Sequence, residues 1–260
     1  MATSFEYSTQ ALTYDTTRAA SPSVLGPLRQ ALGAPVGDGS LLDVGGGTGN
    51  YAAALRDHGW RPVVVDRNAG MLGAAAAKGL AVARADAASL PTAAGSVDAV
   101  MLVSMLHHVP DWRVALAEAR RVVRPGGVVA VMAYAREHLL AHGIEDYFPE
   151  TRDHVAVGHQ PRRDLLAVLP GAEELPVRYD DLVDGSLAAL GRRPELVLDP
   201  ELRRQTSFIE LAERERPEEL ARGLARLASD LEAGIRPQDR GAALREEIGD
   251  ALVLAWRAPT

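Results

Sequence analysis

The stretch SLLDVGGGTGNY, residues 40–51, places four glycines in five positions directly behind an apolar run that ends in a carboxylate. A strand, a bare turn and a helix N-terminus in succession let a ligand approach backbone N–H groups closely. The identity of that ligand follows from what is missing. A dinucleotide site asks for a glycine at the sixth position, and counting from Gly45 that position holds Asn50. A phosphate loop asks for Lys and Ser/Thr after the last glycine, and GTGNYA supplies neither. Asp43, two residues before the loop, would repel a pyrophosphate but suits a ligand carrying an ammonium or sulfonium.

From about residue 40 to 134, β-branched runs alternate with Ala-rich helical stretches, the pattern of a parallel sheet covered on both faces. Strands are predicted at SLLDV, RPVVVD, LAVARAD, SVDAVMLVS and GVVAVMAY. Helices fall between them: NYAAALRDHG closed by Gly59, a segment capped by Asn68 and stopped at Gly79, and DWRVALAEARRVV running from a capping Asp111 to a turn at RPGG. Beyond residue 135 the rhythm changes to a loop, a short helix and a strand near LPVRYDD. Leu220, Leu224, Leu227 and Leu231 mark one apolar stripe on a polar helix. DALVLAWRAP reads as a last strand.

These motifs resemble class I S-adenosylmethionine-dependent methyltransferases, in particular the small-molecule group with an LHHVPD signature. LLDVGGGTG matches the first motif of that family at every position, and the resemblance makes Asp43, Gly45 and Gly47 cofactor contacts. Asp66, 23 residues after Asp43, stands where the family places the acid for the ribose hydroxyls. DRNAGML resembles the segment whose methionine, here Met71, packs on adenine. RADAASLP resembles the third motif, with Asp86 for the adenine amino group and the Ala87 backbone lining the ring. VDAVMLVSMLHHVPDW, which contains Ser104 as a further cofactor candidate, and RRVVRPGG complete the match. Singly, each has a plainer reading: a tight turn, strand-end acids closing loops, a methionine filling a core gap. Their order and spacing decide for the family. The resemblance implies a Rossmann-like, doubly wound seven-stranded sheet of order 3-2-1-4-5-7-6 with a helical cap.

The division expected is an N-terminal helical lid at 1–35, a SAM-binding core at 36–185, a helical cap at 186–245 and a final core strand at 246–260. In the lid, Tyr14 and Arg18 match the family's aromatic and arginine that close over the cofactor, a plain surface helix being the competing reading. His107 and His108, just past the fourth strand, are the candidate catalytic residues: histidine titrates near neutrality, and ligands of open α/β sheets bind at the carboxyl edge. Either could instead cap the loop before Pro110. His138 and His142 lie one helical turn apart, but no matching acid accompanies them, so a solvated face is expected rather than a metal. The run ELAERERPEELARGLARLASDLEAG is expected to be a solvated amphipathic helix, with a homodimer face as its other use.

A formal net charge of −7, with no Lys/Arg-dense patch interleaved with aromatics, argues against nucleic acid as partner. With no cysteine, disulfides and thiolate chemistry are excluded. No apolar run approaches membrane-spanning length and the first residues lack a signal-peptide pattern, so a cytoplasmic protein with no membrane partner is expected. Taken together, the expected function is methyl transfer from S-adenosyl-L-methionine to an O or C atom of a small molecule. SMLHH stands where an NPPY-like motif would mark amino methylation of bases. The alternative is the same fold redirected to elimination, cyclisation or rearrangement.

Overall fold

The computed structural model describes residues 19–141, 143–180, 186, 190–203 and 206–260. The chain begins there with helix α1 (Pro22–Leu32) and continues through β1 (Ser40–Val44), α2 (Asn50–Arg56), β2 (Arg61–Asp66), α3 (Ala69–Ala77), β3 (Ala81–Arg84), β4 (Val97–Val103), α4 (Trp112–Val122) and β5 (Val123–Ala133). Next come α5 (Arg136–Ala141), α6 (Pro149–Ala156), α7 (Arg162–Val168) and β6 (Glu173–Val177). After α8 (Pro200–Arg203), α9 (Ser207–Glu215), α10 (Pro217–Glu232) and α11 (Ala242–Ile248), β7 (Ala251–Arg257) closes the sheet.

Seven strands lie in the order β3-β2-β1-β4-β5-β7-β6, as the resemblance implied. β1 to β5 run parallel, and β7 inserts antiparallel between β5 and β6. Successive side chains of a strand point to opposite faces, so the central strands must be apolar throughout. Leu41, Met101, Ala130 and Val253 pack on one face beneath α1, α2 and α3; Leu42, Val100, Val129 and Leu254 pack on the other beneath α4 and α7. At the amino end of the sheet Asp98 ties three strands together. Its carboxylate accepts from Ser40 N and Oγ at 2.8 Å and from Arg124 Nε at 2.6 Å. Burial alone would raise its pKa, but these bonds outweigh it and hold the group below its ordinary value.

Several local expectations change. Asn68 caps α3, accepting from Gly70 N and Met71 N, whereas the side chain of Asp111 makes no capping bond to α4. RPGG is not a turn ahead of the fifth strand. β5 starts at Val123, paired with Val97, and the register then jumps to Ala99 opposite Val128. The extra residues form a bulge, and the glycines make it feasible: Gly126 has φ +73°, and a Cβ on Gly127 would stand 2.6 Å from Asp98 O.

The last departure is in the helices before β7. The acidic and basic run breaks at Pro217 into α9 and α10, because proline is accepted in the first turn of a helix and not in its interior. The leucine stripe is covered by the chain itself. Leu220 and Leu227 are buried, with Leu224 and Leu231 packed alongside, in a third cluster with Ile144, Tyr147, Phe148, Phe208 and Ile209. His138 is fully buried rather than solvated, its Nδ1 accepting from Ala135 N at 2.9 Å. His142 lies outside the described residues.

Candidate active site

Strand order reverses direction of growth between β1 and β4, the place where an open α/β sheet leaves a crevice at its carboxyl edge. The glycine loop fills the mouth of that crevice. Gly45 and Gly47 adopt φ of +67° and +56°, and Gly45 N donates to Val65 O at 2.7 Å, pinning the turn to β2. Behind it opens a small cleft of about 80 Å³, lined by the loop and by Asp43, Tyr51, Ser104, Tyr134 and Tyr179 among others.

Asp43 dominates the electrostatics of this cleft. It sits at the penultimate position of β1 and is 1 % exposed. Its Oδ1 has no hydrogen-bond partner among the described residues. Burial, and secondarily the charge of Asp66, push its pKa from 3.8 to about 7. A Cβ on Gly46 would stand 2.3 Å from Asp43 Oδ2, so only bare backbone can cross the carboxylate here. An acid this strained in its ionised form, lining an open cleft, fits a cationic group that neutralises it.

Asp66 closes β2 half-buried, and its two oxygens accept from Gly47 N at 3.1 Å and Asn68 N at 2.8 Å. It thereby welds the glycine loop to the start of α3. Met71 is buried on α3 near the loop, its sulfur 3.9 Å from where a Cβ of Gly47 would be. Asp86 is exposed past β3, with Oδ1 accepting from Ala88 N at 2.8 Å, and Ala87 packs partly against the core. Asp43, Asp66 and Met71 are thus brought around one loop, while Asp86 and Ala87 stand beyond the next strand. Ser104 has φ +51°, and its N–H donates to Met132 O at 3.0 Å. A left-handed non-glycine residue of this kind is held by its surroundings, often at functional sites.

The histidines lie on a short turn, Leu106–His108, after β4. His107 is half-buried with its ring stacked on His159, centroids 4.7 Å apart; His108 is exposed and tilted against it. The described lining of the cleft includes Ser104 but neither histidine. Tyr14 and Arg18 lie outside the described residues. Among the described residues no cluster of three or more His, Asp or Glu could hold a metal, and no helix is long and apolar enough to cross a membrane. Tyr134 and Tyr179 escaped the reading of the sequence. They follow β5 and β6, and no spacing signal links them.

Sheet order, glycine loop and strand-end acids define a Rossmann-like protein of the methyltransferase fold. Residues 42–131 match the family model described as methyltransferase domain. Over 142 residues the chain is 39% identical to an uncharacterized methyltransferase from Mycobacterium sp. (strain KMS), covering 49% of this chain and 54% of that one. The chain spans about half the length of the curated relatives it matches. Residues 42–131 are thus similar to a methyltransferase domain, the kind of domain that the sequence motifs resemble. Two solved structures share the fold. One, from Anabaena variabilis and described as a methyltransferase from an antibiotic biosynthesis pathway, superposes with a TM-score of 0.74 at 24% identity, covering 93% of this chain and 99% of that one. The cyclase SpnF superposes with a TM-score of 0.54 at 17% identity, covering 91% and 80%.

Proposed function

We propose that this protein transfers the methyl group of S-adenosyl-L-methionine to an oxygen or carbon atom of a small molecule. The observation that carries the reading is Asp43, a buried carboxyl with an unpartnered oxygen on a cleft walled by bare glycine backbone. Asp43 and the loop from Gly45 to Gly47 would hold the charged end of the cofactor. Asp66 would take the ribose hydroxyls, and Met71, Asp86 and Ala87 the adenine, with Ser104 beside the loop. When bound, the cofactor supplies a methyl group already activated by a positive sulfur.

The work left to the chain is positioning. Holding the acceptor in line at about 3 Å supplies most of the rate in a reaction of this kind. A hydroxyl or acidic carbon must also lose a proton, and His107, half-buried one turn beyond Ser104, is the residue assigned to receive it. His108 is the exposed second candidate. Tyr14 and Arg18 at 1–35 would close over the site, and the helices of 186–245 would cover the acceptor and exclude water.

Calorimetry with S-adenosylhomocysteine, followed by incubation of methyl-labelled S-adenosylmethionine with candidate acceptors, tests the reading. Binding, and label appearing in the acceptor, are expected; absence of binding to the wild-type protein refutes it. His107→Ala should bind S-adenosylhomocysteine normally and turn over about 100-fold more slowly, and undiminished turnover would remove His107 from the mechanism. The likeness of the fold to the cyclase SpnF favours a second reading, non-methylating chemistry on a small molecule. Substrate conversion with the labelled methyl wholly retained on sulfur would select it.

A further inference from the structure

Gly45, Gly47 and Gly49 of the loop all hold positive φ angles. Backbone this bare is costly to keep in one conformation, so its shape must be set by contacts from outside. On the side of β2, Gly45 N and Gly47 N donate to Val65 O and Asp66 Oδ2. Lys78 holds the far end. Its Nζ donates to Thr48 O at 2.9 Å and to Asn50 Oδ1 at 2.5 Å, and both of those residues line the cleft with Asp43.

The reach of Lys78 follows from α3. Met71, Ala75 and Lys78 are spaced by four and three residues and so share one face of that helix. A Cβ on Gly47 would meet Met71 Sδ at 3.9 Å, and one on Gly49 would meet Ala75 Cβ at 3.3 Å. The loop therefore runs along this face, and Lys78, the C-cap residue of α3, stands where the loop passes into α2. Arg56, the last residue of α2, donates from Nη1 to Lys78 O at 2.9 Å and fixes the main chain from which the ammonium extends. A cation beside the first residue of α2 gains nothing from that helix, whose N-terminus favours anions. Its bonds are to the loop. Lys78 is also the only lysine in the sequence, every other Lys/Arg position being arginine. A compact ammonium on a flexible stem can share its donors between two neighbouring oxygens, where a planar guanidinium imposes a fixed fork.

We propose that Lys78 is a positioning residue for the cofactor: its ammonium latches Thr48 and Asn50 so that the glycine loop keeps the shape that receives S-adenosyl-L-methionine. The inference rests on the methyl-transfer reading and adds to it a residue that governs cofactor affinity from behind the loop. Lys78 is not among the described residues lining the cleft, so it acts through the backbone it holds.

The test uses the full chain and S-adenosylhomocysteine as probe, with calorimetry at a temperature where circular dichroism shows each variant folded. Lys78→Met keeps the stem and removes the ammonium. Apparent affinity scales with the fraction of molecules whose loop is in the receptive shape, and losing two charged hydrogen bonds should lower it at least about 10-fold. Arg56→Met disturbs the same helix end while leaving the ammonium in place, and as a surface change should keep affinity within about twofold. A second measurement needs no variant. Lys78 is half-buried, and its acylation by the N-hydroxysuccinimide ester of acetic acid can be followed by mass on the peptide that carries it. Saturating S-adenosylhomocysteine should slow that acylation at least about 5-fold, because a ligand favoured by the closed latch must in turn favour it. Undiminished binding by Lys78→Met, equal losses in the two variants, or an acylation rate unmoved by the ligand overturns the latch; if Lys78→Met does not fold, the acylation rates decide. Wild-type protein that fails to bind S-adenosylhomocysteine sinks the parent reading, and the latch falls with it.

Discussion

Asp43→Asn should make the ligand-free protein more stable as the pH rises, while destroying its affinity for a cationic ligand. In the unfolded chain Asp43 loses its proton near 3.8, but in the folded chain it keeps it until about 7. Between those values the unfolded state binds fewer protons than the folded one, so stability falls as pH rises through this window. The neutral carboxyl imposes no such penalty below about 3.8, and the penalty is complete above about 7. At 1.36 kcal/mol for each tenfold change in proton affinity, the full effect is about 4 kcal/mol. Asparagine cannot ionise and escapes it. Urea unfolding of both proteins at intervals from pH 4 to pH 8, without ligand, yields the stability difference directly. Any fixed cost of fitting the amide subtracts out, because only the pH slope matters. The variant should gain about 4 kcal/mol on the wild type across the window and nothing further above it. A difference that stays flat within about 1 kcal/mol over the same range, well short of that linkage term, would show that Asp43 ionises freely in the folded state. The cleft would then lack the unsatisfied charge on which the functional assignment depends. Binding has the opposite slope: affinity for S-adenosylhomocysteine should rise with pH up to about 7 as Asp43 becomes ionised, then level off.

Two further substitutions separate the site from its support. Gly46→Ala sets a methyl group 2.3 Å from Asp43 Oδ2, and the short, strand-borne carboxylate cannot swing clear; affinity for S-adenosylhomocysteine measured by calorimetry should drop at least about 100-fold, comparable to losing a charged partner. Glu219→Gln acts far from the cleft. The buried carboxylate of Glu219 on α10 accepts from Thr151 N and Oγ1 at 3.1 and 2.6 Å and from Glu150 N, capping α6. An amide would turn a donor toward those donors, costing about 1.5–3 kcal/mol. Thermal unfolding should begin several degrees lower while calorimetry finds the affinity for S-adenosylhomocysteine unchanged; an unaltered melting curve would deny the cap its role.

The portion of the site contributed by one continuous stretch is legible in the sequence. Asp43, the glycine loop and Asp66 come from adjacent β-α units, where hydrophobic period and glycine punctuation dictate which residues end each strand. The cap of α3 by Asn68 is equally local. The bulge at RPGG reads as a turn from sequence, since proline and two glycines signal a break in either case, and only pairing with β4 decides whether it falls before a strand or inside it. The leucine stripe carried a correct period and no address. A stripe reports that a helix has a buried face, and both a partner molecule and Phe148 with Phe208 would satisfy it.

By itself, then, the order of residues determined an α/β sheet with a bare-backbone loop and acids at its carboxyl edge, because each of those features is set by neighbours a few positions apart. Tertiary structure alone decided that Asp43 is sealed from water, that Tyr134 meets Tyr179 across 45 residues of chain, and that Glu219 reaches Thr151 across 68. Desolvation and side-chain contact depend on which surfaces the folded chain presses together, and local periodicity carries no information about that pairing.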